Sequence, residues 1–378
     1  MVNFKEIFNN KSKEENGSDD LILRQYYLLN HKKMLILASL IIIALLSIIV
    51  SIKVGSYNVS WVEIIKSILG HGSKETEIVI WNLRMPRVMA SIVSGAALSL
   101  SGLIIQTVLK NPLASPSTLG ISQGAAFGAS LAIITFGAAN LESSSFRTND
   151  SYHFEILSVY LVSFFAFLGG LSVVIVVWGL QLLKKMTSAS ILLTGVALSS
   201  LFVSGTILIQ YFAEETEIAA VVFWTFGDVA RSTWSEIIFL SIVTLIITIY
   251  FFFKQGTLNA MGTGDEVAMN LGVNSKRFRL IGLILASLIA SLTTCFHGVI
   301  AFLGLLAPHM AKRLVGNNHL FLIPTTIVIG AILLLISDTL GRIIISAGSL
   351  PVGVITSFLG APLFLYLLLY EKGGSKNA

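Results

Sequence analysis

Long apolar stretches without a charged residue dominate the chain. Stretches free of Asp, Glu, Lys and Arg run over 34–52, 88–109, 111–141, 156–183, 186–213, 237–253, 280–311, 314–337 and 343–370. A helix that crosses a bilayer needs about 20 apolar residues, because hydrocarbon cannot satisfy free backbone groups. The stretch 280–311 is too long for one crossing, and His297-Gly298 near its middle can turn the chain. The pattern therefore predicts an all-α, polytopic membrane protein with ten transmembrane helices.

Composition supports this interpretation and excludes other classes of protein. Of the 378 residues, 54% are hydrophobic and only 12% are charged, about half the charged share of a soluble domain. A disordered chain would need low hydrophobicity and high net charge. The single cysteine excludes a disulfide scaffold. The net charge of +5 is scattered between apolar runs and forms no basic stripe, so we expect lipid, and no nucleic acid, as a partner.

The distribution of charge predicts how the chain is oriented in the membrane. With the N-terminus in the cytoplasm and ten crossings, 17 of the 25 Lys and Arg residues fall inside, giving +9 inside and −4 outside. This asymmetry follows the positive-inside rule. We expect an unstructured cytoplasmic tail at 1–33, a single transmembrane domain at 34–370, and a cytoplasmic tail at 371–378. Both termini of this cell-membrane protein would then be cytoplasmic.

Small residues recur at every fourth position in three predicted spans. The three series are Ser91-Gly95-Ser99, Gly120-Gly124-Gly128 and Gly353-Ser357-Ala361. Small side chains at this spacing let helix backbones approach closely in lipid. We interpret Gly95, Gly120, Gly124, Gly128 and Gly353 as helix-packing positions. The less favoured alternative is that they line a transport pathway.

The sequence shows little sign of catalytic chemistry. It has no phosphate-binding loop, no nucleophile elbow and no pair of histidines at metal-ligand spacing. Asp338 is the one acidic candidate for ion coupling within the spans, and Arg342, one turn later, is the ordinary partner for it. We therefore expect no catalytic residue, cofactor or metal. Either the chain conducts passively or a separate protein supplies the energy.

The long inner loop, residues 254–279, bears on that choice. Asp265-Glu266 can open a short helix, because negative charge suits a helix N-terminus, and Gly272 can end it. Val267, Ala268 and Leu271 would then form a small apolar face. A helix this short is unstable alone, so the pattern indicates a docking element for another protein. The alternative is a helix that packs under its own membrane domain.

Several segments, in order, carry a family resemblance. They are Trp81-Asn-Leu-Arg-Met-Pro-Arg87, Ser94-Gly-Ala-Ala-Leu98, Asn111-Pro-Leu-Ala-Ser-Pro116, Leu119-Gly-Ile-Ser-Gln-Gly-Ala125, Phe302-Leu-Gly-Leu-Leu-Ala-Pro-His309, Asp338-Thr-Leu-Gly-Arg342, Leu350-Pro-Val-Gly-Val-Ile-Thr356 and Leu359-Gly-Ala-Pro-Leu-Phe364. Together they cover roughly 58–370. The chain resembles the FecCD-type permeases of type II ABC importers for iron(III)-siderophores, heme and cobalamin.

This resemblance implies a set of partners and two docking sites. The partners are a second permease subunit, identical or paralogous, two cytosolic ATP-binding subunits and an extracytoplasmic substrate-binding protein. The 258–272 segment would be the coupling helix seated on the ATPase, with Leu258, Gly262, Gly264, Asp265, Glu266, Val267, Leu271 and Gly272 as its residues. Arg84, Arg87 and Arg342 stand where the family receives glutamates of the binding protein. Membrane-interface anchoring is the alternative role for these arginines.

The resemblance favours one function over two others. The chain would be the translocation subunit of an importer, with iron(III)-siderophore as the expected cargo and no ATPase site of its own. An ion-coupled secondary transporter is the alternative from a different class, and it would depend on Asp338. A passive channel is weaker still, because no ring of polar side chains marks a filter.

Overall fold

Fifteen α-helices make up the part of the chain that the computed structural model describes, which is residues 4–136, 151–183, 186–345 and 349–374. Only the backbone is described for 4–26, 151–159 and 370–374, and for residues 182, 367 and 368. The helices are α1 (Phe4–Lys53), α2 (Trp61–Ile68), α3 (Lys74–Ile78), α4 (Met85–Leu109), α5 (Ile121–Thr135), α6 (Ser151–Leu183), α7 (Ser188–Tyr211), α8 (Glu215–Thr225), α9 (Trp234–Phe253), α10 (Gln255–Thr263), α11 (Asp265–Asn270), α12 (Ser275–His297), α13 (Leu303–Val315), α14 (His319–Ile344) and α15 (Val352–Gly374). A π-helical turn, Val79–Arg84, leads directly into α4.

The predicted spans correspond to helices of two lengths. Within the described residues, seven helices are long and apolar enough to cross a membrane. They lie in α1, α4, α6, α7, α9, α12 and α14, and α4 is continuous with the helical turns before it. The shorter α5 and α13, and the apolar part of α15, Val352–Tyr366, stand at the other three predicted spans. The split of 280–311 is confirmed: α12 ends at His297, and Gly298 turns the chain at a φ of 73°.

Two predicted boundaries differ from the structure for local reasons. The span 111–141 begins its helix only at Ile121, because two prolines and an interlocked pair of side chains, Ser115 and Thr118, fold the preceding segment into turns. At the N-terminus we expected an unstructured tail over 1–33, whereas the helical backbone begins at Phe4. That segment has no proline and contains many Leu, Lys and Glu residues, which favour helix.

The centre of the fold is α4. Nearly every residue from Ala90 to Leu109 is buried, and the helix packs against α9, α12, α13 and α14. A helix that is apolar all round is expected in such a central position. In contrast, α1 and α7 expose most of their apolar side chains, as helices facing lipid or another membrane subunit do.

Glycines set the distance between α4 and its neighbours. A Cβ at Gly95 would lie 2.3 Å from the Gly330 carbonyl oxygen in α14, and one at Gly102 would lie 1.7 Å from the Gly304 oxygen in α13. Both distances are shorter than any non-bonded contact between a Cβ and an oxygen atom. The backbones therefore touch directly, and any larger side chain would push the helices apart.

The other predicted packing glycines also contact backbone within this subunit. A Cβ at Gly124 or Gly128 would meet a carbonyl oxygen of α6 at 2.4 or 2.1 Å, and one at Gly353 would meet the oxygen of Phe226 at 2.3 Å. Gly120 differs from the predicted helical series, because it precedes α5 at a φ of 90° and faces Gly195 in α7. The part of the chain that the structure describes thus gives all five glycines packing contacts.

We expect Gly95→Leu to destabilise the isolated subunit severely. The new side chain cannot enter the contact with Gly330 without displacing α14, and overpacking of this kind costs about 1–3 kcal/mol or more. Gly179→Leu in α6 is the matched control, because a Cβ there meets nothing within 4 Å. Thermal unfolding in detergent should separate the two variants. Equal melting temperatures would contradict the direct backbone contact.

Candidate coupling and docking sites

The inner loop folds into two short helices joined at a glycine. Gly264 separates α10 from α11 with a φ of 145° and a ψ of 154°, a conformation that L-residues rarely adopt. The structure confirms that a helix begins at Asp265, with Asp265 and Glu266 in its first turn. Leu258 is fully buried in α10, whereas Gly262 is exposed.

Gly272 ends α11 as the sequence predicts. Its φ is 78°, and its N–H donates to the Met269 carbonyl at 2.9 Å while the Val273 N–H donates to the Ala268 carbonyl at 2.9 Å. These two bonds form a Schellman motif, which satisfies carbonyls at a helix end and favours glycine at the left-handed position. A helix of only six residues thus has a fixed end.

Of the apolar side chains of α11, one is buried in the subunit and three are exposed. Ala268 is fully buried against the membrane domain, so the predicted grouping of Ala268 with Val267 and Leu271 on one face is wrong. Val267, Met269 and Leu271 are 46%, 65% and 67% exposed, and Glu266 is exposed beside them. These three apolar side chains lie outside the membrane spans of this subunit, where exposing them to water is unfavourable.

Asp265 points back toward the ends of two long helices. Its carboxylate accepts from the Lys110 Nζ at 2.7 Å, and from the Arg279 Nη2 at 2.9 and 2.8 Å. Partial burial raises the pKa of Asp265, but the two cations donate to it and attract its charge, and together they hold its pKa below the ordinary value. The carboxylate is therefore ionised at neutral pH, and the ion pairs weaken only when acid protonates it.

Arg84 lies inside the fold at the opposite end of the subunit. Its Nη1 donates to the carbonyls of Ile52 at 2.7 Å and Lys53 at 3.1 Å, and its Nη2 donates to that of Tyr57. Only 5% of the residue is exposed. The guanidinium thus satisfies the carbonyls at the end of α1, which have no helical partners of their own.

Arg87 and Arg342 share one buried carboxylate, that of Asp338. The Arg87 Nε donates to the Asp338 Oδ1 at 2.6 Å, and the Arg342 Nη2 lies 3.0 Å from its Oδ2. Arg342 also donates to the carbonyls of Ser51 at 2.9 Å and Val54 at 2.7 Å. The predicted pair of Asp338 and Arg342 is confirmed, and Arg87 completes a three-charge cluster that joins α1, α4 and α14.

The two clusters agree with the predicted threading of the chain. Ten crossings put Lys110, Asp265 and Arg279 on one side of the membrane, and the structure brings them together. The same crossings put Arg87 and Asp338 on the other side, where Asp228 also lies, 4.0 Å from Arg87. Among the described residues, no group of three or more His, Cys, Asp or Glu side chains could hold a metal ion.

The sequence did not reveal the residues that anchor the inner loop. The charge pattern gives Lys110 and Arg279 a role in topology only, yet they hold Asp265. Asn259 belongs to no motif, although its side-chain oxygen accepts from both the backbone N–H and the ring of His319. The available signal was the position of Lys110 and Arg279 at the ends of long apolar runs, where a charge is costly without a partner.

Comparison with known proteins places nearly all of the transmembrane domain in one family. The model of the FecCD transport family matches residues 41–370. The chain belongs to the FecCD transport family. An ABC transporter permease protein of Methanocaldococcus jannaschii is 46% identical over 86% of this chain and 91% of its own. The Fe(3+)-citrate import system permease of Bacillus subtilis is 34% identical over 85% of this chain and 91% of its own.

A solved structure shows the same fold. It is a metal-chelate type ABC transporter in an inward-facing conformation, with a TM-score of 0.76 and 28% identity over 89% of this chain and 99% of that one. As a FecCD permease, the chain is an integral membrane protein and the transport subunit of an ABC importer, and the ATPase is a separate subunit. Other relatives are named for hemin, iron(3+)-hydroxamate, molybdate and vitamin B12.

We expect Arg84→Gln to destabilise the permease even when no other subunit is present. The shorter amide cannot reach all three carbonyls, and each buried group left unpaired costs about 1–3 kcal/mol. Lys66→Gln removes an exposed positive charge from the same region and is the control. Thermal unfolding of the purified subunit measures both. An unchanged melting temperature for Arg84→Gln would favour a pure docking role.

Proposed function

We propose that this permease moves iron(III)-siderophore complexes across the membrane. Its partners would be a second permease subunit, two cytosolic ATPases and an extracytoplasmic binding protein, and both of its termini would be cytoplasmic. The observation that carries the proposal is α11, a fixed helix that presents three apolar side chains away from its own subunit. ATP binding and hydrolysis in the partner would act on the permease through this helix.

The exposed face of α11 fits an ATPase surface. Fully burying a Val, Leu or Met side chain is worth roughly 1.5–3 kcal/mol. Val267 and Leu271, four positions apart, would supply one apolar contact, and Met269 would add a second on another side of the helix. Glu266 would lie at its rim. Gly264 and Gly272 shape the helix ends, and Leu258 and Asp265 fix it to the permease.

Iron(III)-siderophore is the proposed cargo because relatives of this chain act on iron chelates. Proteins 34% and 31% identical to it are named as permeases for Fe(3+)-citrate and iron(3+)-hydroxamate. The described interior of the transmembrane domain is mainly apolar, with small and hydroxyl side chains. Such a lining would grip a bulky chelate weakly and leave selection to the binding protein.

Exposed apolar helices provide room for a second permease subunit. In α7, Leu193, Val196, Leu201 and Leu208 are each at least 60% exposed, and in α15 Phe358 is 78% exposed. These surfaces suit either lipid or a second membrane subunit. An identical chain and a paralogue would both fit.

For the outer arginines we propose an indirect part in receiving the binding protein. Arg84, Arg87 and Arg342 hold the outer ends of α1, α4 and α14 together, and they would keep the docking surface in shape. Direct pairing with carboxylates of the binding protein would require Arg84 to leave its three carbonyls. Arg87, the most exposed of the three at 12%, is better placed for direct contact.

Ion-coupled transport remains the alternative function. It would require Asp338 to bind and release a proton or a sodium ion during transport. The structure gives this carboxylate two guanidinium partners and no exposure. This arrangement favours a structural role for Asp338.

We expect Leu271→Glu to prevent stable assembly with the ATPase while leaving the fold intact. A carboxylate at the centre of an apolar contact loses its hydration without gaining a partner. Co-purification of the tagged permease with its ATPase measures assembly. Leu314→Glu, an exposed apolar position at the end of α13, is the matched control and should assemble normally. Full assembly of Leu271→Glu would contradict the docking role of α11.

We expect uptake into proteoliposomes to require ATP and the complete complex. Radiolabelled ferric hydroxamate, ferric citrate, hemin, molybdate and vitamin B12, each offered with the binding protein, would form the panel of cargoes. The proposal predicts uptake of an iron chelate with ATP, and none with a proton or sodium gradient alone. Uptake driven by a gradient in the absence of the ATPase would establish the alternative. Preference for hemin, molybdate or vitamin B12 would replace the proposed cargo.

A further inference from the structure

Three side-chain links tie the inner loop to the C-terminal end of α4. On the α10 side, the Asn259 side-chain oxygen lies 2.7 Å from the His319 Nδ1, and the His319 Nε2 lies 3.0 Å from the Thr107 hydroxyl of α4. The His319 ring therefore links α10 to α4 through both of its nitrogens. It is also the first residue of α14, so this link joins three helices.

On the α11 side, Arg279 connects the loop to α4 and α12 at once. Its Nε donates to the Val108 carbonyl at 2.9 Å, and its Nη2 donates to Asp265. The Val108 carbonyl is among the last four of α4, which have no helical partner. Only 11% of the Arg279 side chain is exposed, so little water competes with these bonds.

Lys110 provides the second link between α11 and α4, and its backbone has an unusual conformation. It adopts a left-handed conformation with a φ of 52°, and its N–H and that of Asn111 donate to the Thr107 and Gln106 carbonyls. This is a helix-ending motif that usually carries glycine, and a residue with a Cβ costs about 1–2 kcal/mol there. The lysine that occupies this position extends its Nζ to Asp265.

We propose that Asp265 is the positioning residue through which movement of α11 is transmitted to α4. The inference rests on the proposed docking of α11 to an ATPase. Asp265 pairs with Lys110, which directly follows α4, and with Arg279 in α12, so a displacement of α11 pulls both helices. Because α4 has 25 residues, it carries the displacement about 37 Å. Its far end is tied through Arg87 to the Asp338 cluster.

Distance measurements in the assembled transporter test this proposal. Spin labels at Leu83→Cys, just ahead of α4, and at Tyr211→Cys, at the end of α7, report movement between α4 and α7. Both positions are exposed, whereas the natural Cys295 is buried. The complex with its ATPase is measured in nanodiscs, without nucleotide and with ATP plus orthovanadate. We expect a nucleotide-dependent change in this distance, reduced to less than half in Asp265→Asn.

Three further variants make the result specific. Asp265→Glu keeps the charge and should restore part of the change. Lys110→Gln combined with Asp265→Asn should be no worse than Asp265→Asn alone, because both remove one interaction. Lys276→Gln removes an exposed charge next to the loop and should behave as the natural chain.

Assembly, measured on the same samples, separates this proposal from the docking of α11. Asp265→Asn should co-purify with its ATPase, because the Asp265 carboxylate pairs with Lys110 and Arg279 of its own subunit. A full distance change in Asp265→Asn would overturn the transmission role while leaving docking intact. Absence of any nucleotide-dependent change in the natural complex would overturn it as well. Full assembly of Leu271→Glu would instead overturn the docking on which it rests.

Discussion

Direct backbone contact around α4 is the constraint on which the rest of the structure depends. Gly95 and Gly102 place this helix against carbonyl oxygens of α14 and α13. In hydrocarbon, packing has to supply the attraction that the hydrophobic effect supplies in water. Once these contacts fix α4 among its neighbours, its two ends lie at the two membrane surfaces. Each end can then collect the charged side chains of the helices around it.

The charge clusters at those ends differ in construction. The cluster around Asp338 buries one carboxylate between two guanidiniums, and both arginines also bond to other groups of the subunit. Its members are almost completely enclosed. The cluster around Asp265 is open, with 46% of the Asp265 side chain exposed, and Asp265 lies on a helix of six residues. An enclosed cluster suits helix ends that stay in place relative to one another. An open cluster on a small helix suits a contact that moves when a partner protein pushes on the helix.

Much of this architecture could be predicted from the sequence because transmembrane helices are specified locally. Length and hydropathy were sufficient to locate the apolar spans, and a glycine was sufficient to locate the end of α11. The partners of Asp265 could not be predicted in this way. Lys110 and Arg279 lie 155 and 14 residues from it along the chain, and only packing brings the three together. Ala268 was placed on the wrong face because a six-residue helix offers too few positions for a periodic pattern.

A proline in α13, Pro308, explains why the buried helix α4 carries the polar side chain of Gln106. Pro308 has no N–H, so the Gly304 carbonyl four residues earlier loses its helical donor. The Gln106 Nε2 lies 3.5 Å from that oxygen and 3.4 Å from the Leu305 oxygen, and its Oε1 accepts from Lys312 at 3.0 Å. Gln106 therefore supplies to α13 a donor that α13 itself lacks. Consequently, an apolar residue in place of Gln106 would be tolerated more easily in a chain whose Pro308 had first been replaced. The two positions depend on each other although they lie on different helices.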